Sequence, residues 1–397
     1  MRMRVGILTG TRPDIIKDAP LYWEAKKRGH EPVLIHTTQH WSHELFEGVY
    51  KDLEMKFPPD YMLEFGQGHS IASGVAKMIS EIDHLLRKDE PNLDVLLVHG
   101  DTTTCMAGAL AAHLNCVPVG HVEAGLRTFS REPFPEQTDT RTTDACSDIY
   151  FAATELNAQN LVNEGFRKDR IFTVGNTVVD VARWAAKRGP REKDLVESIM
   201  KGKKKPIYFT VHRRENTIHD FRFKAIIDAV VQASEMGYDI ILSMLPGTRN
   251  ALNKYGLMNK IYDAPNIRQV EKLPNYSDVI YIIQNSHIVL TDSGGMQEES
   301  AALNIPCITA RYVTDRPESV DAGVNILAPP DSPETIVKAI EKADAENGEM
   351  RKKKNPYGEG DSSKKIFDIL EKFEGKMIAW EHDNGAGACP VREESKE

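Results

Sequence analysis

Short apolar, β-branched runs alternate with longer amphipathic stretches along this chain, and the alternation runs through twice. In the first half, residues 4–8, 32–35, 95–98, 117–122 and 149–152 read as strands, and residues 14–27, 71–87 and 102–114 carry apolar positions at helical spacing. A strand, a helix and a second strand in that order form a parallel pair, since only a crossover returns the chain to the same end of the sheet. The pattern restarts at 206–210 and continues through 240–243, 267–270, 288–290 and 307–309, with helices over 221–237, 276–284 and 295–303. Residues 188–205, rich in Lys, Arg and Glu, separate the two series, so the hinge is expected between 175 and 205. Two Rossmann-like α/β domains with parallel sheets follow, over residues 1–180 and 181–361. A last helix is expected over 362–373, and the polar, aperiodic residues 381–397 read as a disordered tail.

Composition narrows the function classes. A chain of 397 residues exceeds one ordinary core. Its net charge of -9 argues against coating nucleic acid. No apolar run reaches the length of a bilayer and residues 1–10 lack a signal-peptide pattern, so cytoplasmic residence without membrane contact is expected. Cys105, Cys116, Cys146, Cys307 and Cys389 are odd in number, widely spaced and form no C-x-x-C; buried small apolar side chains are expected rather than a disulfide framework or structural zinc.

Four groups of residues carry chemistry. Gly10-Thr11-Arg12-Pro13 follows the first strand and opens a helix, with Lys17 one turn on. A helix N-terminus favours an anion, although a βα turn with surface charges has the same letters. Thr291-Asp292-Ser293-Gly294-Gly295 ends another strand before a helix, where the glycines let backbone N–H groups approach a diphosphate and Glu299 stands about one turn further for ribose hydroxyls. Asp101, Glu123 and Glu136, the last in a Pro-rich loop, fall near strand ends and can supply a general acid and a general base. Asp101 before Thr102 fits a helix N-cap equally well. His212-Arg213-Arg214-Glu215 follows a strand and suits a leaving diphosphate, with Arg311 and Arg316 adding guanidinium forks. The dinucleotide pattern G-x-G-x-x-G, the P-loop and H-E-x-x-H are absent.

Taken together these residues resemble the non-hydrolysing UDP-N-acetylglucosamine 2-epimerase family, over about residues 5–370. The matching strings are Gly10-Thr11-Arg12-Pro13, Val98-His99-Gly100-Asp101-Thr102-Thr103-Thr104, His121-Val122-Glu123-Ala124-Gly125-Leu126-Arg127-Thr128 and Gly175-Asn176-Thr177. They continue with His212-Arg213-Arg214-Glu215, the segment 291–299, Arg316-Pro317-Glu318 and Asn355-Pro356-Tyr357-Gly358. The resemblance implies a fold of glycosyltransferase-B type with its active site in the interdomain cleft, and a final helix, about 362–380, that belongs to the N-terminal domain. It implies UDP-N-acetylglucosamine as substrate, UDP-N-acetylmannosamine as product, a homodimer, no metal and no cofactor. Elimination of UDP would give 2-acetamidoglucal, and UDP would then add back after protonation on the other face of carbon 2. Asp101, Glu123 and Glu136 would be the acid/base set and His212 would stabilise the departing phosphate. Arg12, Ser293, Gly294, Gly295 and Arg316 would hold the diphosphate, Glu299 the ribose, with Lys17, Gln67 and Arg213 completing the substrate site.

The chain departs from the family pattern at two places. The family follows Pro-Glu with Glu-x-Asn-Arg; here Pro135-Glu136 is followed by Gln137-Thr138-Asp139-Thr140, with Arg141 next. Gln39-His40 and Gln67 match part of the family's allosteric site, but Trp41-Ser42 and Ser243-Met244-Leu245-Pro246 do not, so weak or absent substrate activation is expected. The altered loop motivates a relative acting on a modified UDP-sugar, such as a 2,3-diacetamido uronate. A hydrolysing 2-epimerase and a catalytically silent UDP-sugar sensor are the further alternatives.

Overall fold

The computed structural model describes residues 2–37, 43–63, 70–87, 91–130, 132–202, 204–271 and 273–373. The chain divides into two compact units, Met1–Val181 with Gly358–Glu397, and Ala182–Tyr357. Each is built on a parallel sheet, as the strand–helix alternation requires.

The first unit holds β1 (Arg4–Thr9), β2 (Glu31–Thr37), β3 (Tyr61–Leu63), β4 (Val95–His99), β5 (Val119–Val122), β6 (Ile149–Ala152) and β7 (Ile171–Thr173), in the order β3-β2-β1-β4-β5-β6-β7. Leu8, Val33, Ile35, Leu96 and Val98 form its core with the small residues Ala107, Ala111 and Ala112 of the helix Thr103–Leu114. The second unit holds β8 (Pro206–Thr210), β9 (Asp239–Met244), β10 (Ile267–Glu271), β11 (Ile288–Thr291), β12 (Cys307–Thr309) and β13 (Asn325–Leu327), in the order β10-β9-β8-β11-β12-β13. Ile207, Phe209, Ile240, Leu242, Ile288 and Leu290 are its buried centre. In both sheets the winding reverses between two central strands, β1 and β4 in one, β8 and β11 in the other. The carboxyl ends flanking such a reversal form a crevice where α/β proteins bind ligands.

The helix Ser362–Leu370 completes the first unit. Asp180 receives the N–H groups of Ser362 and Ser363 at its start, at 3.2 and 3.0 Å. Arg28, at the end of the first helix Arg12–Lys27, pairs with Asp368 at 2.8 Å, and His30 stacks on Phe367.

Four expectations change. The charged stretch between the halves is not all linker: Lys193–Met200 is a helix that buries Val196 and Ile199. Glu136 is not in a loop but opens the helix Glu136–Ala145. Asp101 is not the cap of the next helix, because Thr102 holds the N-cap position and its hydroxyl accepts from Cys105 N–H. Cys105, Cys146 and Cys307 are buried thiols, whereas Cys116 is disulfide-bonded, so the expectation of small apolar side chains fails there. Among the described residues no helix is long and apolar enough to cross a membrane.

Candidate active site

In the first unit, the polar groups gather where β1, β4 and β5 end. Gly10 is required by crowding: a Cβ there would lie 2.0 Å from Thr104 Oγ1 and 2.5 Å from Thr37 Oγ1. The next residues settle the first anion reading. Thr11 caps the helix through its hydroxyl, and Asp14 Oδ2 accepts from the N–H groups of Gly10, at 3.1 Å, and Thr11, at 2.9 Å. Pro13 has no N–H. The N–H groups of Gly10 and Thr11 therefore already serve the chain's own carboxylate, and the half-buried Arg12 is the residue left to meet an anion here. The expected backbone phosphate cradle at Gly10–Pro13 is corrected on that ground.

Glu123 follows β5 with φ at +64°, a left-handed conformation that a non-glycine residue adopts at a cost of about 1–3 kcal/mol. It is 2% exposed, and its Oε1 accepts from Lys17 Nζ at 2.5 Å and Asn176 Nδ2 at 2.7 Å. His99 Nε2 stands 3.4 Å away, while His99 Nδ1 meets Asp18 Oδ1 at 2.7 Å. Burial alone would depress His99, but Asp18 and then Glu123 hold it at about 9. Asp18 is raised, first by burial, against the pull of His99. Lys17 and His99 thus both bring positive charge to Oε1 of a strained, buried carboxylate.

Asp101 and Glu136 belong to a second carboxyl group that includes Asp139, one turn beyond Glu136 on the same helix. Asp139 is pushed up to about 7, first by burial and then by the charges of Asp101 and Glu136. His121 locks this helix to the β4 turn: its Nδ1 meets Asp144 Oδ1 at 2.7 Å and its Nε2 donates to Gly100 O at 2.8 Å. Arg127 closes the arrangement by bridging Asp144 and Glu164.

These titrations set a sign for stability against pH. Asp14 is raised to about 7, by burial first and then by Asp18. For Asp14 and Asp139, folded values above the unfolded one mean stability that is present below about pH 4 and lost as the pH rises through about 7. His99, also raised, contributes stability present below about 6.5 and lost through about 9. All three act in one direction. Hydrogen exchange should show the first unit losing protection between about pH 5 and 9, with the second unit nearly flat. There Asp344, held at about 2 against burial by Lys205, His287 and Tyr238, loses its contribution only in acid.

In the second unit the polar groups sit where β8 and β11 end, side by side across the winding reversal. The helix Gly294–Ala302 begins after Ser293, and no side chain caps it. Its first turn keeps the backbone donors that the first unit's helix spends on Asp14. Cβ atoms added at Gly294 or Gly295 would meet nothing closer than 3.7 Å; at Gly294 the nearest atoms are the Asp315 carboxylate oxygens, at 3.7 Å, and Arg213 Nη2, at 3.8 Å. An uncapped glycine turn beside a guanidinium is the chemistry of a diphosphate site.

Asp292, fully buried, holds the opposite wall. Its carboxylate accepts from His212 N–H at 3.0 Å, Arg213 N–H at 2.9 Å and Asn216 Nδ2 at 3.1 Å. His212 is thereby presented with its side chain 38% exposed, Nδ1 3.5 Å from Asp292. Glu299 is buried on the same helix as Gly294. Arg316 departs from expectation. It is 3% exposed, its Nε donates to Glu298 and its Nη1 pairs with Asp315 at 2.9 Å. Its guanidinium is turned into the unit and braces the segment before Pro317, rather than standing open at the glycine turn. Asp315 is held well below the carboxylate range by Arg316, Arg311 and Arg213, which outweigh its burial.

Gln67, Gln39, His40 and residues 381–397 lie outside the described residues. Asp18, Asp139, Asn176 and Asp292 were assigned no role from sequence. Asp18 did leave a signal, since Asp14 and Asp18 stand one turn apart among buried Ile15, Ile16 and Ala19.

The family model described as UDP-N-acetylglucosamine 2-epimerase matches residues 24–371. A UDP-N-acetylglucosamine 2-epimerase of Methanococcus maripaludis is 38% identical over 92% of this chain and 98% of its own. The crystal structure of the Methanocaldococcus jannaschii UDP-GlcNAc 2-epimerase in complex with UDP-GlcNAc and UDP is 36% identical and superposes with a TM-score of 0.84, covering 93% of this chain and all of that one. The Neisseria meningitidis UDP-GlcNAc 2-epimerase bound to UDP-GlcNAc is similar at 31% identity, with a TM-score of 0.84, 93% of this chain and 100% of that one being covered. The fold class is accordingly the two-domain, glycosyltransferase-B type expected from the motifs.

Proposed function

Since the chain belongs to the UDP-N-acetylglucosamine 2-epimerase family, we propose that it interconverts UDP-N-acetylglucosamine and UDP-N-acetylmannosamine. The reaction runs by elimination of UDP and its re-addition. One carboxylate of the first unit takes the proton from carbon 2 as the C1–O bond to UDP breaks, leaving 2-acetamidoglucal. A second carboxyl protonates carbon 2 from the opposite face, and UDP bonds again to C1. The carbon acid is weak, so much of the barrier must be lowered by stabilising the departing diphosphate.

The observation that carries this reading is the fixed Glu123, clamped by Lys17 and Asn176 near His99. A sensor has no need of a strained, immobilised carboxylate beside two further acids; a proton-transfer enzyme does. Asp101, Glu123 and Glu136 form the acid/base set, with Lys17 orienting Glu123. Ser293, Gly294, Gly295 and Arg213 hold the diphosphate, Arg12 adds charge to it, Glu299 takes the ribose and Arg316 supports the turn from behind. The reading includes a homodimer in the cytoplasm, which sedimentation of the purified chain and fractionation of its cells test.

Incubation with UDP-N-acetylglucosamine in deuterated water, followed by nuclear magnetic resonance, should give UDP-N-acetylmannosamine with one deuterium at carbon 2. Free N-acetylmannosamine instead would identify a hydrolysing enzyme; binding without exchange would leave a sensor. His212→Ala should lower kcat by about 100-fold while KM moves little, because its charge matters chiefly as UDP departs. A large rise in KM at unchanged kcat would remove His212 from that role.

A further inference from the structure

An enzyme that inverts one carbon with two carboxyls ends each turnover in the wrong protonation state. The group that took the proton from one face is now protonated, and the group that gave one to the other face is now ionised. A proton must pass between them before the same direction of reaction can run again. The chain carries a group placed for that transfer, at a position where the family pattern has Asn.

We propose that Asp139 relays the proton that resets the acid/base carboxyls between turnovers, passing it on through its neighbours Asp101 and Glu136. The proposal rests on the epimerase reading above. Asp139 is 3% exposed, and its Oδ2 has no hydrogen-bond partner among the described residues. It lies one helical turn from Glu136, on the same face of the Glu136–Ala145 helix. That helix packs on Thr103–Leu114, directly after Asp101, and His121 ties both to the Gly100 turn. Asp101 and Glu136 are the charged groups that act on Asp139. Burial keeps Asp139 protonated until about neutral pH, where a relay has to give and take with little driving force. The transfer is balanced: Asp139 gives its proton to the ionised partner and receives one from the protonated partner, so it is unchanged after each cycle; once product has left, the protons on the partly exposed Asp101 and Glu136 exchange with water, so the hydrogen delivered to carbon 2 comes from solvent. Asp139 is a positioning and relay residue; it need not touch the sugar.

Asp139→Asn keeps the shape and removes the titration. Because the reset follows product release, it enters kcat and not kcat/KM. The variant is expected to lose about tenfold in kcat, with kcat/KM within about twofold of the parent and a melting temperature at pH 8 no lower than the parent's. Asp139→Glu, which restores a carboxyl, should recover part of kcat. Equal losses in kcat and kcat/KM would show that Asp139 acts on the chemical step, and an unchanged kcat would show that it does nothing in turnover; either result overturns the relay. A parent that converts no UDP-N-acetylglucosamine sinks the functional reading itself, and that outcome is read before any variant is made.

Discussion

Replacing Glu123 by glutamine is expected to lower kcat for epimerisation by about 10²–10⁴-fold, with the fold retained. The amide preserves the volume of the side chain, and its oxygen can still accept from Lys17 and Asn176, the two donors now on Glu123 Oε1. Asp18 stays close enough to Lys17 to act on its charge, so the ammonium keeps an anionic neighbour. What is lost is the capacity to take or return a proton at that point. Deuterium uptake at carbon 2, followed by nuclear magnetic resonance, measures the effect directly. If the variant exchanges that proton at the parental rate, Glu123 is a structural anion for Lys17 and the acid/base set must be sought in Asp101 and Glu136 alone.

The second large effect is expected from Asp292→Ala. Three donors converge on this buried carboxylate: the N–H groups of His212 and Arg213 and the amide of Asn216. Each buried donor left without a partner costs about 1–3 kcal/mol. Asn216 retains Ala310 O as a second acceptor, so the whole change should cost about 3–4 kcal/mol. For a unit of this size that is roughly a 10 °C fall in melting temperature. The same loss releases the loop that presents His212 and Arg213, so UDP should bind more weakly as well. Calorimetry and a UDP titration read the two effects, and Asp292→Asn, which keeps an acceptor, should fall between parent and alanine. A melting temperature unmoved by the alanine would mean that the loop is held by other contacts.

Much of the architecture was legible because buried parallel strands are continuous apolar runs. β8 and β12, and the helices Ile71–Arg87 and Tyr276–Gln284, fall at the residues expected. The strands that escaped are β3, β7 and β13, each of three residues at a sheet edge, where half-exposed side chains erase the pattern. The helix Glu136–Ala145 escaped for another reason. The face it buries is polar, Gln137, Asp139, Thr140, Thr143 and Asp144, so apolar periodicity has nothing to register. Its two preceding prolines, Pro133 and Pro135, also read as a loop.

The candidate site was legible as residue types beside strand ends, and not as partnerships. Gly10-Thr11-Arg12-Pro13 and Ser293-Gly294-Gly295 look alike as helix starts, yet one N-terminus is filled by Asp14 and the other is left uncapped. Only the fold shows which carboxylate faces which donor. Arg316 makes the same point: as a letter it is a phosphate ligand, and in place it is a brace for Glu298 and Asp315.

The return of Ser362–Leu370 to the first helix has a bearing on biosynthesis. On a ribosome, Ala182–Tyr357 is a contiguous stretch that is available for folding as soon as it emerges, whereas the amino-terminal sheet must wait, with part of its helical cover missing, until residues 362–370 have been made. The nascent protein therefore matures out of order, its middle before its beginning, and a stop codon shortly before residue 362 would leave Arg28, His30 and the flank of the first helix bare for chaperones rather than for substrate.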